Sequence, residues 1–207
     1  MNQGSNIYII SGPSGSGKTT LSNRLLKLKT LKHKLVKSLS VTTRPRRAKE
    51  KNRKDYIFVT QDEFLKRRKK GEFLESQAVF EYLYGTSKRF VKKALKEKKN
   101  VLLCIDVKGA LSVKKLYPNA VAIFILPPSL KILQKRLTNR LTEDKKKLHR
   151  RLKLAKKEMS YIKHYDYIVI NDDLKKAIKQ LESIFIAEYC RRCYGLSTNR
   201  RIIAPVK

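Results

Sequence analysis

Residues 7–20, IYIISGPSGSGKTT, constrain the fold of this chain more than any other stretch. A short apolar run leads directly into a loop rich in glycine and serine. The pattern G-x-x-x-x-G-K-[ST] is matched in this loop by Gly12, Gly17, Lys18 and Thr19. This pattern is typical of the phosphate-binding loop that joins a buried strand to a helix. The sequence therefore predicts a nucleoside-triphosphate site at the start of the chain.

Each residue type in this loop has a physical task. Glycines let the backbone curl so that its N–H groups, and the N-terminus of the following helix, face a polyphosphate. Lys18 would reach the outer phosphates, and the Thr19 hydroxyl would hold a magnesium ion that bridges them. The predicted ATP-binding residues of the loop are Gly12, Pro13, Ser14, Gly15, Ser16, Gly17, Lys18, Thr19 and Thr20.

The length and composition indicate a globular chain of one domain, or of one domain with a small insert. The chain has 207 residues, of which 41% are hydrophobic, enough for a substantial core. No run approaches the roughly 18 apolar residues of a membrane span. Residues 1–4 do not begin a signal peptide, so the sequence predicts a cytoplasmic protein. Cys190 and Cys193 form a lone C-x-x-C without a second ligand pair, which argues against zinc.

The charge is strongly unbalanced, with 50 Lys+Arg against 17 Asp+Glu and a formal net charge of +33. Such a surface attracts polyanions, which include nucleotides, nucleic acid and anionic membranes. The lysines are spread over nearly every helix expected to be exposed, which also fits a general lysine bias. Because no nucleic-acid-reading motif is present, the sequence predicts no specific nucleic-acid partner and no membrane partner, and it leaves the oligomeric state open.

Strand and helix signals alternate along the chain, which predicts an α/β fold with a doubly wound, mostly parallel sheet. Buried strands are expected at residues 7–11, 101–105 and 120–126, and further strands at residues 35–41 and 167–170. The stretch 44–86 interrupts this alternation and is rich in arginine, tyrosine and carboxylate. It is expected to form an inserted small mixed α+β subdomain, in which residues 72–85 are irregular with extended pieces.

A set of short motifs follows in a fixed order from about residue 7 to residue 184. These are GPSGSGKTT, S-x-S-x-T-T-R, R-x-x-E, D-Y-x-F-V, F-L-E, Y-G-T, I-D-V-x-G-A, R-L-x-x-R and V-x-N-D-D. Most are weak alone, but in this order they are highly specific. The chain resembles the guanylate kinases, which phosphorylate GMP at the expense of ATP. The resemblance implies ATP and GMP as substrates and Mg²⁺ as the cofactor.

The resemblance also implies which residues bind GMP. The family holds the GMP phosphate with two arginines and two tyrosines, which correspond to Arg44, Arg47, Tyr56 and Tyr84. Guanidinium groups make paired contacts with a phosphate dianion, and phenol groups complete its shell. The proline at position 45 departs from the usual pattern, so Arg46 remains an alternative to Arg47.

The guanine base is read in the family by side chains that correspond to Ser38, Glu75, Thr86 and Asp106. Guanine presents its ring N–H and its amino group side by side, and an ionised glutamate can accept from both. Asp106 also follows a buried strand beside the phosphate-binding loop, where a carboxylate commonly orders magnesium through water. Cys104 replaces a second acidic residue that the family often carries, so the predicted metal residues are Thr19 and Asp106.

Arginines that the family brings over the transferring phosphoryl group correspond to Arg136, Arg140 and Arg151, which join Lys18 as the predicted catalytic residues. Leu141 replaces the usual glycine at the start of the lid. Asn171 matches the position that contacts adenine. The expected organisation is a core of about residues 5–40, 87–135 and 160–195, a GMP-binding insert of about 41–86, a helical lid of about 136–159 and a loose tail of about 195–207.

Two other functions compete with this interpretation. A guanylate-kinase-like protein-binding module would typically lack the phosphate-loop lysine and the lid arginines, yet Lys18, Arg136 and Arg140 are all present. A nucleic-acid-binding protein could use the basic surface, but its tyrosines stand singly rather than in a stacking row. The sequence therefore favours an enzyme.

Overall fold

The computed structural model describes residues 5–31, 34–48, 50–138 and 145–195. Its strands are β1 (Ile7–Ser11), β2 (Leu35–Lys37), β3 (Ser40–Thr42), β4 (Ile57–Phe58), β5 (Phe73–Val79), β6 (Tyr82–Ser87), β7 (Asn100–Cys104), β8 (Val121–Leu126) and β9 (Tyr167–Ile170). Its helices are α1 (Lys18–Leu25), α2 (Gln61–Lys69), α3 (Lys88–Lys96), α4 (Val107–Leu116), α5 (Leu130–Thr138), α6 (Lys145–Met159) and α7 (Leu174–Gly195).

The strands form two sheets. Across the described ranges, the main sheet has the order β2-β7-β1-β8-β9, and all of its pairs are parallel. The smaller sheet has the order β4-β3-β6-β5 and mixes one parallel pair with two antiparallel pairs. The predicted α/β fold with a mostly parallel sheet is therefore confirmed. The smaller sheet lies in the stretch where the sequence predicted an insert.

β1 lies at the centre of the main sheet and supplies both of its hydrophobic cores. Tyr8 and Ile10 belong to the core that packs against α1 and α7. Ile7 and Ile9 belong to the opposite core, which α3 and α4 cover. Because strand side chains alternate between faces, a fully apolar strand must be covered on both sides. This packing fixes the strand that carries the phosphate-binding loop.

The chain leaves the main sheet earlier than the sequence predicted. Instead of one strand over residues 35–41, β2 ends at Lys37 and β3 begins at Ser40 in the other sheet. Residues 72–85 are also more regular than expected, because β5 and β6 form an antiparallel hairpin. The hairpin alternates poorly in hydrophobicity since its inner face carries polar residues, including the buried Glu75 and Thr86.

The sequence predicts helix caps at Thr60, at Ser87 and at residues 171–172, and the structure confirms the first two and corrects the third. The Thr60 side chain accepts a hydrogen bond from the backbone N–H of Glu63, and Ser87 caps α3. At α7 the capping side chain is that of Asp173, which accepts from the backbone N–H of Lys176, rather than Asn171 or Asp172. Asn171 is therefore available for another contact. Among the described residues, no helix has both the length and the apolar character needed to span a membrane.

Candidate active site

The phosphate-binding loop has no space for side chains at two of its glycines. Gly12 and Gly17 have φ angles of 135° and 97°, which L-residues with a side chain rarely adopt. A Cβ on Gly12 would lie 2.4 Å from the backbone oxygen of Ile125 in β8, and one on Gly17 would lie 2.1 Å from Nδ2 of Asn171. The loop is therefore packed against the strands on one side of β1, and only glycine fits at these positions.

The lysine of the loop bends back over its own backbone. Lys18 Nζ donates to the carbonyl oxygens of Gly12 at 2.7 Å and Pro13 at 2.9 Å. These contacts hold the ammonium group above the loop, where a polyphosphate would lie. Thr19 is exposed beside it in the first turn of α1, and that turn contains no acidic residue. The helix N-terminus thus keeps its positive character toward an anion.

A single cavity brings the loop together with both ends of the predicted acceptor site. From the loop side it is lined by Gly12, Ser14, Gly15, Gly17, Lys18 and Thr19. From the smaller sheet and its loops it is lined by Ser40, Arg44, Arg47, Tyr56, Glu75, Val79, Phe80 and Tyr84. The end of β7 and helix α6 complete it with Cys104, Ile105, Asp106, Leu154 and Glu158. Cationic and acidic side chains therefore face one shared cavity.

Glu75 lies at the far end of this cavity and is only 9% exposed. The Thr86 hydroxyl donates to Glu75 Oε1 at 2.6 Å, because the register of the hairpin pairs the two residues. The other oxygen, Oε2, would lie 2.8 Å from a Cβ placed on Gly109, so a side chain at position 109 would displace the Glu75 carboxylate. Burial raises the pKa of the Glu75 carboxyl to about 7, although the Thr86 hydrogen bond opposes this. A partner that donates hydrogen bonds would favour its charged form.

Asp106 follows β7 and caps helix α4. Its Oδ1 accepts a hydrogen bond from the backbone N–H of Gly109 at 2.7 Å. Burial raises its pKa, while this hydrogen bond and the charge of Lys18 lower it. Asp106 lies between the loop and Glu75. This position fits both roles predicted for it, contact with guanine and binding of magnesium through water, because its carboxylate borders both ends of the cavity.

The two arginines of the acceptor site differ in their surroundings. The Arg44 side chain is 10% exposed, and its Nη2 lies 2.8 Å from Glu50 Oε1. Its guanidinium also lies 5.2 Å from the centre of the Tyr56 ring. The Arg47 side chain is 56% exposed but still lines the cavity, and it also lines the adjoining one. Glu50, which the sequence did not single out, therefore holds Arg44 in place, while Arg47, whose Nη1 lies 3.9 Å from the same carboxylate, stays more exposed.

Arg46 does not line either of these cavities as the structure describes them. Its Nη1 donates to the backbone oxygen of Glu50 at 3.3 Å, and the residue is exposed. The geometry therefore favours Arg47 over Arg46 as the second phosphate ligand. Tyr56 and Tyr84 both line the cavity, and their rings meet edge to face with centres 6.3 Å apart. Burial raises the pKa of Tyr56 to about 12, so it stays a protonated donor.

Ser38 is buried, with no hydrogen-bond partner for its hydroxyl, and it lines only a small side pocket. Ser40, two residues further on, lines both this pocket and the main cavity, and it pairs with Thr86 across the smaller sheet. The motif S-x-S contains both serines, so the sequence could have identified Ser40. The role of Ser38 stays a prediction, and Ser40 is the serine beside the base end of the cavity.

The predicted lid arginines occupy different positions. Arg136 Nη2 donates to the backbone oxygen of Asn171 at 3.1 Å, and its buried Nη1 has no hydrogen-bond partner. Arg151 in α6 lines a second cavity together with Ser14, Arg44 and Arg47. Arg140 and Leu141 lie outside the described residues. The structure therefore places Arg151, but not Arg136, in a cavity with the arginines predicted to bind the acceptor phosphate.

Asn171 contacts the phosphate-binding loop rather than an open surface. Its Nδ2 donates to the backbone oxygen of Ser16 at 2.7 Å, and the residue is 6% exposed. Its own backbone oxygen accepts from Arg136. In this arrangement Asn171 ties the loop to helix α5. Adenine contact by its side chain stays a prediction.

Glu158 is a cavity residue that the sequence did not reveal. It lies in α6, and burial raises the pKa of its carboxyl to about 7, while the positive charge of Lys18 lowers it. In the sequence, Glu158 lies next to lysines, a pattern that is typical of an exposed charged residue on a basic helix. Only the fold of α6 back over the loop shows that this carboxylate faces Lys18.

The residues at the phosphate end suit a magnesium ion that arrives with a nucleotide. Within the described ranges, no cluster of three or more His, Cys, Asp or Glu side chains could hold a metal alone. The Thr19 hydroxyl and the Asp106 carboxylate both line the cavity and are hard oxygen donors. Magnesium usually keeps several waters and takes its other ligands from substrate phosphates. Two protein oxygen donors, from Thr19 and Asp106, are therefore sufficient.

Comparisons with known proteins agree with this geometry. The family model described as guanylate kinase matches residues 4–188. A guanylate kinase of Caldanaerobacter subterraneus is 44% identical over 89% of this chain and 88% of its own length. One from Thermotoga maritima is 45% identical over 88% of this chain and 86% of its own. A crystal structure of guanylate kinase from Anaplasma phagocytophilum superposes with a TM-score of 0.77 at 32% identity, covering 93% of this chain and 90% of that one.

The raised pKa of Glu75 predicts a pH-dependent effect of Glu75→Gln on the ligand-free protein. The pKa of the Glu75 carboxyl is about 7 in the folded protein and 4.5 in the unfolded chain. The folded protein therefore loses stability as the pH rises between these two values. Glutamine keeps an acceptor for Thr86 but carries no charge. We expect the mutant's free energy of unfolding, relative to wild type, to rise by up to about 3 kcal/mol from pH 5 to pH 8. Urea denaturation at both pH values measures this.

The exposed Glu72 provides the matched control. Glu72→Gln should change the free energy of unfolding by the same small amount at both pH values. A Glu75→Gln protein whose stability relative to wild type does not depend on pH would contradict the assigned environment of Glu75.

Proposed function

The chain belongs to the guanylate kinase family, and from that premise we propose that it transfers the γ-phosphoryl group of ATP to the phosphate of GMP. The products are ADP and GDP, and dGMP is accepted in the same way because its base and phosphate are unchanged. The observation that carries this proposal is the shared cavity, in which Lys18 and the phosphate-binding loop face Glu75 and the acceptor arginines. Two phosphate-binding ends in one cavity suit a transfer between two nucleotides.

Guanine recognition is assigned to the buried end of the cavity. The ring N–H and the amino group of guanine are adjacent donors, and the Glu75 carboxylate would accept from them while it keeps the hydrogen bond from Thr86. These donors would stabilise the charged form of Glu75 and lower its pKa from the ligand-free value. Ser40 and Asp106 border the same end, and Ser38 lines the small side pocket next to it. The GMP phosphate would then lie between Arg44, Arg47 and the two tyrosines.

The transfer step needs no protein base. An oxygen of the GMP phosphate attacks the γ-phosphorus in line, the bond to the β-γ bridging oxygen breaks, and ADP leaves with that electron pair. Lys18 and the arginines stabilise the charge on the transferring group. Mg²⁺, bound with ATP beside Thr19 and Asp106, would supply further charge neutralisation. Lid closure by Arg136, Arg140 and Arg151 would exclude water that otherwise hydrolyses ATP.

The domain organisation follows from the same proposal. The insert, residues 41–86, carries the GMP end of the cavity, and the lid, about residues 136–159, carries the arginines that close over it. The core, which holds the phosphate-binding loop, is the part that binds ATP. A cytoplasmic location and a place in purine nucleotide metabolism fit this activity and stay predictions.

The base preference tests the function most simply. GMP and dGMP should be the best acceptors in a coupled ADP-release assay. Inosine monophosphate should be slower because it lacks the amino group. AMP presents an acceptor to Glu75, and a site built on buried hydrogen bonds can reject such an analogue by about ten thousand-fold. If AMP or UMP were the best acceptor, the assignment of Glu75 to guanine would be wrong.

The acceptor arginines give a second prediction that separates two neighbouring side chains. Arg47→Ala should raise KM for GMP by at least about tenfold, because a charge-assisted contact with the phosphate contributes about 1.5–3 kcal/mol. Arg46→Ala should change KM for GMP by less than about threefold. Steady-state kinetics at saturating ATP measures both. The reverse order would assign the phosphate to Arg46.

Lys18→Ala should lower turnover by about a hundredfold or more, because it removes a charge directed at the transferring phosphoryl group. Its circular dichroism should match that of wild type, since the Lys18 side chain lies at the cavity and not in the core. Lys92→Ala, on the exposed face of α3, is the matched control and should leave turnover unchanged. Equal turnover in the Lys18 variant and wild type would refute the assignment of the loop.

A further inference from the structure

Phe80 occupies an unusual position at the tip of the β5–β6 hairpin. Its φ angle is 57°, a left-handed conformation that hairpin tips normally give to glycine or asparagine. For a bulky residue this conformation is a true outlier. The side chain is also 43% exposed, so burial does not account for its presence. A strained and exposed aromatic residue points to a role other than stability.

The ring of Phe80 contacts the lid helix. The guanidinium carbon of Arg151 in α6 lies 5.2 Å from the ring centroid, within the range of a cation–π contact. The hairpin belongs to the insert, and α6 belongs to the lid. The contact therefore joins two parts of the chain that have to approach each other when the cavity closes.

The place of this contact is the phosphate end of the acceptor site. Phe80 lines the main cavity and the adjoining one, and Arg44 and Arg47 line both as well. Arg150 and Arg151 reach the adjoining cavity from α6. Four arginines thus line the adjoining cavity with one carboxylate, that of Glu81, which leaves an excess of positive charge. The negative face of an aromatic ring offsets part of the repulsion between the guanidinium groups without adding a second carboxylate that would repel phosphate.

An aromatic partner leaves the N–H donors of an arginine available, whereas an acidic partner occupies some of them. Glu50 holds Arg44 by accepting hydrogen bonds from its Nη2. A ring that lies against the face of a guanidinium does not use the N–H donors, which project in the guanidinium plane. Contact with the Phe80 ring therefore does not itself occupy the N–H donors by which Arg151 would bind a phosphoryl group.

We propose that Phe80 is a positioning residue for the transfer reaction, which holds the Arg151 guanidinium over the phosphates and thereby couples the GMP-binding insert to the lid. This proposal rests on the proposed function. Phe80 itself makes no contact with the reacting atoms. Its effect should therefore depend on Arg151 and appear in kcat more than in the KM for either nucleotide.

Single variants separate the ring from the backbone strain. Phe80→Gly removes both, so the variant should be at least as stable as wild type. Its kcat should nevertheless fall about threefold to tenfold, the size expected when one cation–π contact is lost, with KM changes below about twofold. Phe80→Tyr keeps a ring and should retain kcat. Phe80→Leu keeps apolar volume without a π face and should resemble Phe80→Gly.

The matched control is Phe90, an aromatic residue of α3 that is 39% exposed and lines neither cavity. Phe90→Ala should leave kcat unchanged. If Phe80→Leu kept full kcat, the ring face would not be the active feature and the proposal would be overturned. A wild-type kcat in Phe80→Gly would overturn it equally.

A double-mutant cycle with Arg151→Ala gives the decisive test. If Phe80 acts through Arg151, Phe80→Gly should cause no further loss of kcat in the Arg151→Ala background. Two losses that multiply would show that Phe80 acts independently and would overturn the proposal. If wild type itself failed to phosphorylate GMP, the proposed function would fail first, so the two failures are distinguishable.

Discussion

The packing of the phosphate-binding loop against its neighbours is the constraint on which the rest of this structure depends. β1 is buried on both faces, so the loop that leaves its carboxyl end is held by the main sheet. Gly12 lies against the backbone of β8, and Asn171, which follows β9, donates to Ser16 and fills the space beside Gly17. The strands beyond β1 thus shape the loop directly. Because the loop is preformed, binding of a polyphosphate does not carry the entropic cost of ordering the loop.

The second feature of the architecture is the change of sheet between β2 and β3. By leaving the main sheet after Lys37, the chain builds a smaller sheet whose polar inner face is directed at the loop. This arrangement buries Glu75 and Thr86 as a hydrogen-bonded pair, which a regular apolar hairpin would not provide. The unfavourable burial of a carboxylate is tolerated because the guanine donors proposed above would compensate for it.

The sequence predicted the parts of the site that depend on local pattern. The phosphate-binding loop, Asp106 at the end of a buried strand and the cap at Thr60 all follow from short-range rules. The β5–β6 hairpin was not recognised, because its buried side chains are polar and its strands lack clear alternation. Ser40, Glu50 and Glu158 were missed for other reasons. Ser40 and Glu50 lie inside the motifs S-x-S and R-x-x-E but were given no role of their own, and Glu158 lines the cavity only because α6 folds back over the loop.

A crystal structure with a bisubstrate compound, adenosine and guanosine joined through a polyphosphate, would test the central claim most directly. The account predicts that the guanine ring N–H and amino group lie within hydrogen-bond distance of Glu75. It also predicts that the phosphates run between Lys18 and the Arg44 and Arg47 side chains. Guanine bound away from Glu75, or a polyphosphate outside the loop, would contradict the account.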